Sequence, residues 1–243
     1  MDAHCHLHEY KENEIENITN LGMYIIAVSD DCKSSLRTIE ISEKYRSVIP
    51  AIGLHPWNVE ADYRSELMCV ERLLLEGRSV RIIGEVGLDK KFKPHTIPYQ
   101  HAVFMRLVEI AKERGLSLNI HAANAWRDVL DILYKNDIPL AILHWYTGSL
   151  DIVKEIVDRG YYITINSAIA IQQRYRDVVK AAPLEIILVE SDAPYRYRGM
   201  EFHPREIPNI FKHIAELKGL DIDEVRNSIM ENSYKFLRLV RIL

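Results

Sequence analysis

No run of apolar residues in this sequence approaches the length a membrane span requires. Its opening residues do not form the apolar core of a signal peptide either, because Asp2, His4 and His6 interrupt it at once. Cysteine is scarce: Cys5, Cys32 and Cys69 are odd in number and far apart, a usage that fits a reducing cytoplasm better than a disulfide framework. Charge of one sign does not accumulate, and 31 Lys and Arg against 35 Asp and Glu leave a net −4. A surface built to coat long nucleic acid is not advertised, although a local basic pocket is compatible with that total. There is no linker, low-complexity tract or composition break, so one domain over residues 1–243 is expected. No obligate protein partner or membrane contact is signalled.

What the 243 residues do contain is an alternation. Apolar runs at 1–7, 23–29, 48–54, 80–88, 116–120, 139–143, 161–166 and 186–192 are too short for helices and are predicted as strands. Between them, helical spacing is predicted over 9–20, 34–45, 65–75, 98–114, 125–135, 150–159 and 174–182, with two more helices near 204–217 and 222–239. Strands that read as continuous apolar runs are covered on both faces. Eight strand–helix units in one chain of this length point to an α/β fold, a (β/α)8 TIM barrel. An open doubly wound sheet is the competing topology, but no Gly-x-Gly-x-x-Gly follows the first strand. The last two helices would cap or close the barrel.

The polar residues break that pattern at one kind of place. In an extended strand Asp2, His4 and His6 share a face, and Cys5 lies on the other as a small buried residue. His55 follows the third strand, Glu85 sits on the fourth, His121 ends the fifth, His144 ends the sixth and Asp192 ends the eighth. One histidine at a strand end is ordinarily structural. Five of the ten at strand ends, with two carboxylates, point to the catalytic mouth of a barrel. Six such donors suit two divalent ions sharing a carboxylate better than one ion, which needs about three. On this reading His4, His6 and Asp192 hold one ion, His121 and His144 the other, and Glu85 bridges. Asp192 is the candidate base, and zinc, manganese and magnesium all remain open as the metal.

The stretches Asp2-Ala3-His4-Cys5-His6-Leu7, Gly53-Leu54-His55-Pro56, Gly84-Glu85-Val86-Gly87-Leu88-Asp89, Ile120-His121, His144-Trp145-Tyr146-Thr147-Gly148-Ser149 and Glu190-Ser191-Asp192-Ala193-Pro194-Tyr195 together resemble the TatD-like family of metal-dependent hydrolases. The resemblance implies an amidohydrolase-type barrel with one or two divalent metals that hydrolyses phosphodiester bonds, typically in DNA. It carries His4, His6, Glu85, His121, His144 and Asp192 over as metal ligands, with Glu85 and Asp192 the catalytic carboxylates. The implied partner is a nucleic acid end or a small phosphodiester.

The chain departs from the family pattern in three places. Ala122 and Ala123 stand where a small residue and an arginine usually follow His121. Trp145 and Tyr146 replace smaller residues after His144, and Arg196 to Pro204 replaces a proline-rich segment. For phosphate contacts the candidates are His55, Arg196 and Arg198, with the basic cluster at 90–93 as a guide for an anion. Trp57, Trp126, Trp145 and Tyr146 are placed to stack bases, though core packing is the ordinary role of each. His8 and His95 are expected to face solvent. A rival reading is a binuclear enzyme acting on a cyclic amide, lactone or small ester. Such barrels often bridge their metals with a modified lysine on strand 4, where this chain has Glu85.

Overall fold

The computed structural model describes residues 1–76 and 80–243. Eight parallel strands lie side by side in chain order: β1 (Asp2–Cys5), β2 (Ile25–Ala27), β3 (Val48–Ile52), β4 (Ile82–Asp89), β5 (Ser117–Ala123), β6 (Ala141–Leu143), β7 (Tyr162–Ile165) and β8 (Ile187–Val189). The ring closes beyond β8, where the Asp192 N–H donates to the His4 carbonyl at 2.9 Å and the His6 N–H donates to Ala193 at 2.8 Å. Among the described residues seven α-helices separate the strands: α1 (Glu12–Thr19), α2 (Cys32–Lys44), α3 (Arg64–Leu75), α4 (Ile97–Arg114), α5 (Trp126–Lys135), α6 (Val153–Asp158) and α7 (Gln173–Ala181). Two more, α8 (Ile207–Lys218) and α9 (Ile222–Leu239), follow β8. Among the described residues no helix is long and apolar enough to cross a membrane.

Two apolar layers follow from the period-two alternation of the strands. Leu118 and Ile120 of β5, Leu143 of β6, Ile163 and Ile165 of β7 and Val189 of β8 join the large cluster shared with the helices. Ile26, Ile49, Ala51, Ile82, Ile142, Tyr162 and Leu188 form a second cluster within the ring. Phe236 and Leu237 of α9 complete it, and Asn232 of α9 donates to the carbonyls of Leu184 and Ile187 at the start of β8. The last helix therefore closes the N-terminal end, which leaves the opposite mouth for chemistry.

Local signals explain the boundaries. Asp31 caps α2 by accepting from the Ser34 N–H at 2.7 Å. Gly115 ends α4 in the left-handed conformation at φ 62°. The ladders are shorter than the apolar runs suggested, because residues 28–30 and 190–192 leave the sheet to carry polar side chains. The run 150–159 begins as a 3-10 turn, Leu150–Ile152, before α6. A short antiparallel hairpin, β9 (Arg196–Tyr197) and β10 (Met200–Glu201), occupies a stretch with no strand expectation. Cys32 and Cys69, expected as separate thiols, are disulfide-paired where α2 packs on α3, with Cα atoms 5.8 Å apart.

One glycine on β4 is demanded by the approach of β5. Gly87 has φ 147°, and a Cβ there would overlap the carbonyl oxygen of His121. Gly87→Ala is therefore expected to cost roughly 3 kcal/mol or more, because both backbone strain and a main-chain collision must be relieved. Denaturant unfolding checks this, and a change below about 0.5 kcal/mol would mean the strands part without cost.

Candidate metal centre and pocket

The six residues singled out as ligands converge at the C-terminal mouth. His4 and His6 come from β1 and its exit, Glu85 from β4, His121 from β5, His144 from the end of β6 and Asp192 from beyond β8. Glu85 is 1 % exposed and turns its two oxygens to two groups of imidazoles. Its Oε2 lies 3.2 Å from His4 Nε2 and 3.4 Å from His6 Nε2. Its Oε1 lies 2.8 Å from His121 Nδ1, 3.2 Å from His55 Nε2 and 3.9 Å from His144 Nε2. Asp192 Oδ1 is 3.8, 3.7 and 3.9 Å from the Nε2 atoms of His4, His6 and His144.

Those separations can be compared with what an ion imposes. Donors bonded to one tetrahedral ion at about 2.1 Å lie about 3.4 Å from each other. The Nε2 atoms of His4 and His6 are 3.4 Å apart, so this set fits a divalent cation with little movement.

The outward-facing ring nitrogens sort the histidines further, because a neutral imidazole has one N–H and one lone pair. His4 Nδ1 faces the Asn119 Oδ1 at 2.8 Å, and Asn119 is oriented by donating to the Ala3 carbonyl at 2.9 Å. His144 Nδ1 faces Glu190 at 2.9 Å, and His121 Nε2 faces Asp89 Oδ2 at 3.0 Å. His6 Nδ1 is 3.1 Å from Asp30 Oδ1, an ion-pair contact. Each outer partner is an acceptor, so each proton belongs outside and each lone pair points to the centre. His55 is reversed. Its Nδ1 accepts the Trp57 backbone N–H at 3.0 Å, which leaves the N–H on Nε2, aimed inward.

Burial and neighbouring charges set the proton affinities of these groups. Burial opposes charge on His121, but the hydrogen bonds it donates to Asp89 and Glu85 outweigh it and push its pKa up to about 9. His6 is likewise raised against the effect of burial by Asp192 and Asp30. His144 is driven down to about 3 by burial and by the nearby His4. Glu190 is raised to about 7 by burial, despite the opposing His4 charge. Glu85 stays well below the usual carboxylate range because the surrounding imidazoles, His55 and His4 foremost, outweigh its burial.

Asp30, Asp89, Asn119 and Glu190 were not singled out from the sequence. Asn119 and Glu190 carried a usable signal: each stands two residues before a candidate ligand, and Asn119 shares a face of β5 with His121. Asp89 ends the β4 motif, whereas Asp30 had no marker. His8, expected in solvent, is half-buried against Asp30 and the Val28 carbonyl, both at 3.1 Å.

A pocket of about 470 Å³ opens over the centre. Trp57, Trp126 and Trp145 line it, but Tyr146 does not: it is fully buried, donates to the Ser149 carbonyl at 2.7 Å and packs on Trp126. Arg196 lines the pocket with its guanidinium 2.9 Å from Glu201, while Arg198 lies over the Tyr197 ring and outside the lining. Ala122 and Ala123 line it too, leaving space where an arginine was expected.

Comparison with known proteins agrees with this architecture. The family model described as TatD related DNase matches residues 1–238. An archaeal relative from Methanocaldococcus jannaschii, named as uncharacterized metal-dependent hydrolase MJ1582, is 26% identical, covering 98% of this chain and 96% of its own. A human relative named deoxyribonuclease TATDN3 is 26% identical, covering 100% of this chain and 96% of its own. The crystal structure of YjjV, a TatD homologue from Escherichia coli, superposes with a TM-score of 0.86 at 24% identity, over 96% of this chain and 95% of that one. The chain belongs to the TatD-related family of metal-dependent hydrolases.

Proposed function

We propose that this protein hydrolyses phosphodiester bonds, as a deoxyribonuclease acting on nucleic acid ends. The observation that carries the reading is the division of Glu85: one oxygen faces His4 and His6, the other faces His121 and His144. A bridging carboxylate of this kind suits two cations, and a pair of cations suits an anionic diester. On this reading His4, His6 and Asp192 hold one ion, His121 and His144 the other, with Glu85 shared. Bound there, divalent cations would neutralise the diester and supply Lewis acidity.

The chain's own groups do the rest. The Asp192 carboxylate, beside three imidazoles, takes the proton of the attacking water and returns it to the leaving oxygen. The His55 Nε2–H donates to a non-bridging phosphate oxygen, the role its tautomer permits. The family match and the human relative's name support a nucleic acid substrate. Nucleotide release assayed with Mg²⁺, Mn²⁺ and Zn²⁺, beside amide and lactone hydrolysis, separates this from the rival chemistry. Turnover of an amide or lactone alone would overturn it.

Two further results are expected. His55→Phe should lower kcat/KM by about a hundredfold, the cost of losing one preorganised donor, with metal stoichiometry unchanged. Loss of an ion in that variant, read by metal analysis, would make His55 a ligand. Metal uptake should also depend on pH. With its pKa near 9, His121 is protonated at pH 7 and must lose that proton to ligate. Affinity therefore rises with pH up to about 9, and loading at pH 7 releases protons, measured by calorimetry in buffers of different ionisation heat. Uptake independent of buffer and pH would contradict the ligand assignment.

A further inference from the structure

We infer that Trp57, Lys91 and Phe92, on the rim beyond β3 and β4, form a subsite for one unpaired nucleotide: its base rests on Phe92 and its flanking phosphate meets Lys91. This deepens the phosphodiesterase reading and rests on it.

Two non-histidine cations line the pocket among the described residues, Lys91 and Arg196. Arg196 is neutralised by Glu201, and the neighbouring Lys90 and Lys93 are held by Asp128 and Glu60 at 2.6 and 3.0 Å. Among the described residues Lys91 has only the Phe92 ring, 4.6 Å from its Nζ. The cation facing the pocket is thus uncommitted to a carboxylate.

Phe92 is equally short of a structural reason. It is 54% exposed, and its ring meets Trp57 edge to face at 5.7 Å. An exposed ring beside a free ammonium, at the edge of a phosphodiester centre, matches the two faces of a nucleotide: a planar base and an anion. A base within a duplex has no free face, so the subsite selects single-stranded ends.

Asp89 sets this wall in place. It is fully buried and accepts from the Trp57 indole N–H at 2.5 Å and from the backbone N–H groups of Lys91 and Phe92 at 2.8 and 2.6 Å. The same carboxylate faces His121 Nε2. One side chain thus holds the nucleotide wall and the ring beside Glu85 in fixed relation, so binding orders little that is loose.

The test compares the metal-loaded protein with its Phe92→Ala, Phe92→Tyr, Lys91→Ala and Lys91→Arg variants. The probes are a thymidine dinucleotide and its counterpart lacking both bases. Phe92→Ala should lower kcat/KM about tenfold on the dinucleotide, through KM, and leave the base-free diester unchanged; Phe92→Tyr should restore it. Lys91→Ala should reduce the slope of log KM against log salt by about 0.7, and Lys91→Arg should not. Equal effects of Phe92→Ala on both diesters, no effect on either, or an unchanged salt slope in Lys91→Ala would overturn the subsite. If the wild type cleaves neither diester, the phosphodiesterase reading fails separately. Calorimetric binding of the same probes then decides the subsite: weaker dinucleotide binding in Phe92→Ala supports it, and equal binding overturns it.

Discussion

Glu85→Gln is expected to reduce metal-dependent phosphodiester hydrolysis by about a thousandfold while leaving the barrel folded. The magnitude follows from removing several kcal/mol of charge stabilisation, at about 1.4 kcal/mol for each factor of ten. Glutamine keeps the volume but loses the negative charge that faces both groups of imidazoles. Two cations would then lie close together with no shared carboxylate to offset their repulsion, so stoichiometry should fall from two towards one. The fold should survive because the imidazoles can shed protons when the carboxylate goes. The raised pKa values of His4, His6 and His121, the last near 9, come from neighbouring carboxylates of which Glu85 is one. Steady-state kinetics, metal analysis and circular dichroism on one preparation check all three statements. Full activity would remove Glu85 from the chemistry.

Asp192→Asn is expected to lower kcat by 10²- to 10⁴-fold, the usual range for a positioned general base. Asparagine tolerates the positive φ of 54° at this position, so the backbone has little reason to move. The Asp192 N–H to His4 carbonyl bond that helps close the ring is untouched by the change. The loss should fall on kcat more than on KM. A variant that loses metal but recovers its kcat when metal is added back would show Asp192 to be a ligand only.

Much of this was legible in the sequence for a physical reason. Strands covered on both faces must be apolar throughout, so the eight runs stand out, and so do the polar residues at their ends, His121, His144 and Asp192. The residues that orient those ligands were harder to see. Asp30 reaches His6 from beyond β2, and the pairing of β2 with β1 brings the two together. The role of His55 depends on which nitrogen the Trp57 N–H approaches, a property of the local turn rather than of any motif. Tyr146 and Trp145 are adjacent, yet one packs in the core and the other walls the pocket, because Trp145 takes a φ of 43°. The Cys32–Cys69 pair, 37 residues apart, follows from α2 packing on α3 and from nothing in the spacing.

The account depends on two divalent ions sharing Glu85. Anomalous diffraction from a crystal grown with Mn²⁺ tests that most directly. The result it calls for is two peaks about 3.5–4 Å apart on either side of the Glu85 carboxylate, one beside His4 and His6 and one beside His121 and His144. A map with no peak at Glu85, or with manganese held elsewhere on the chain, would contradict it.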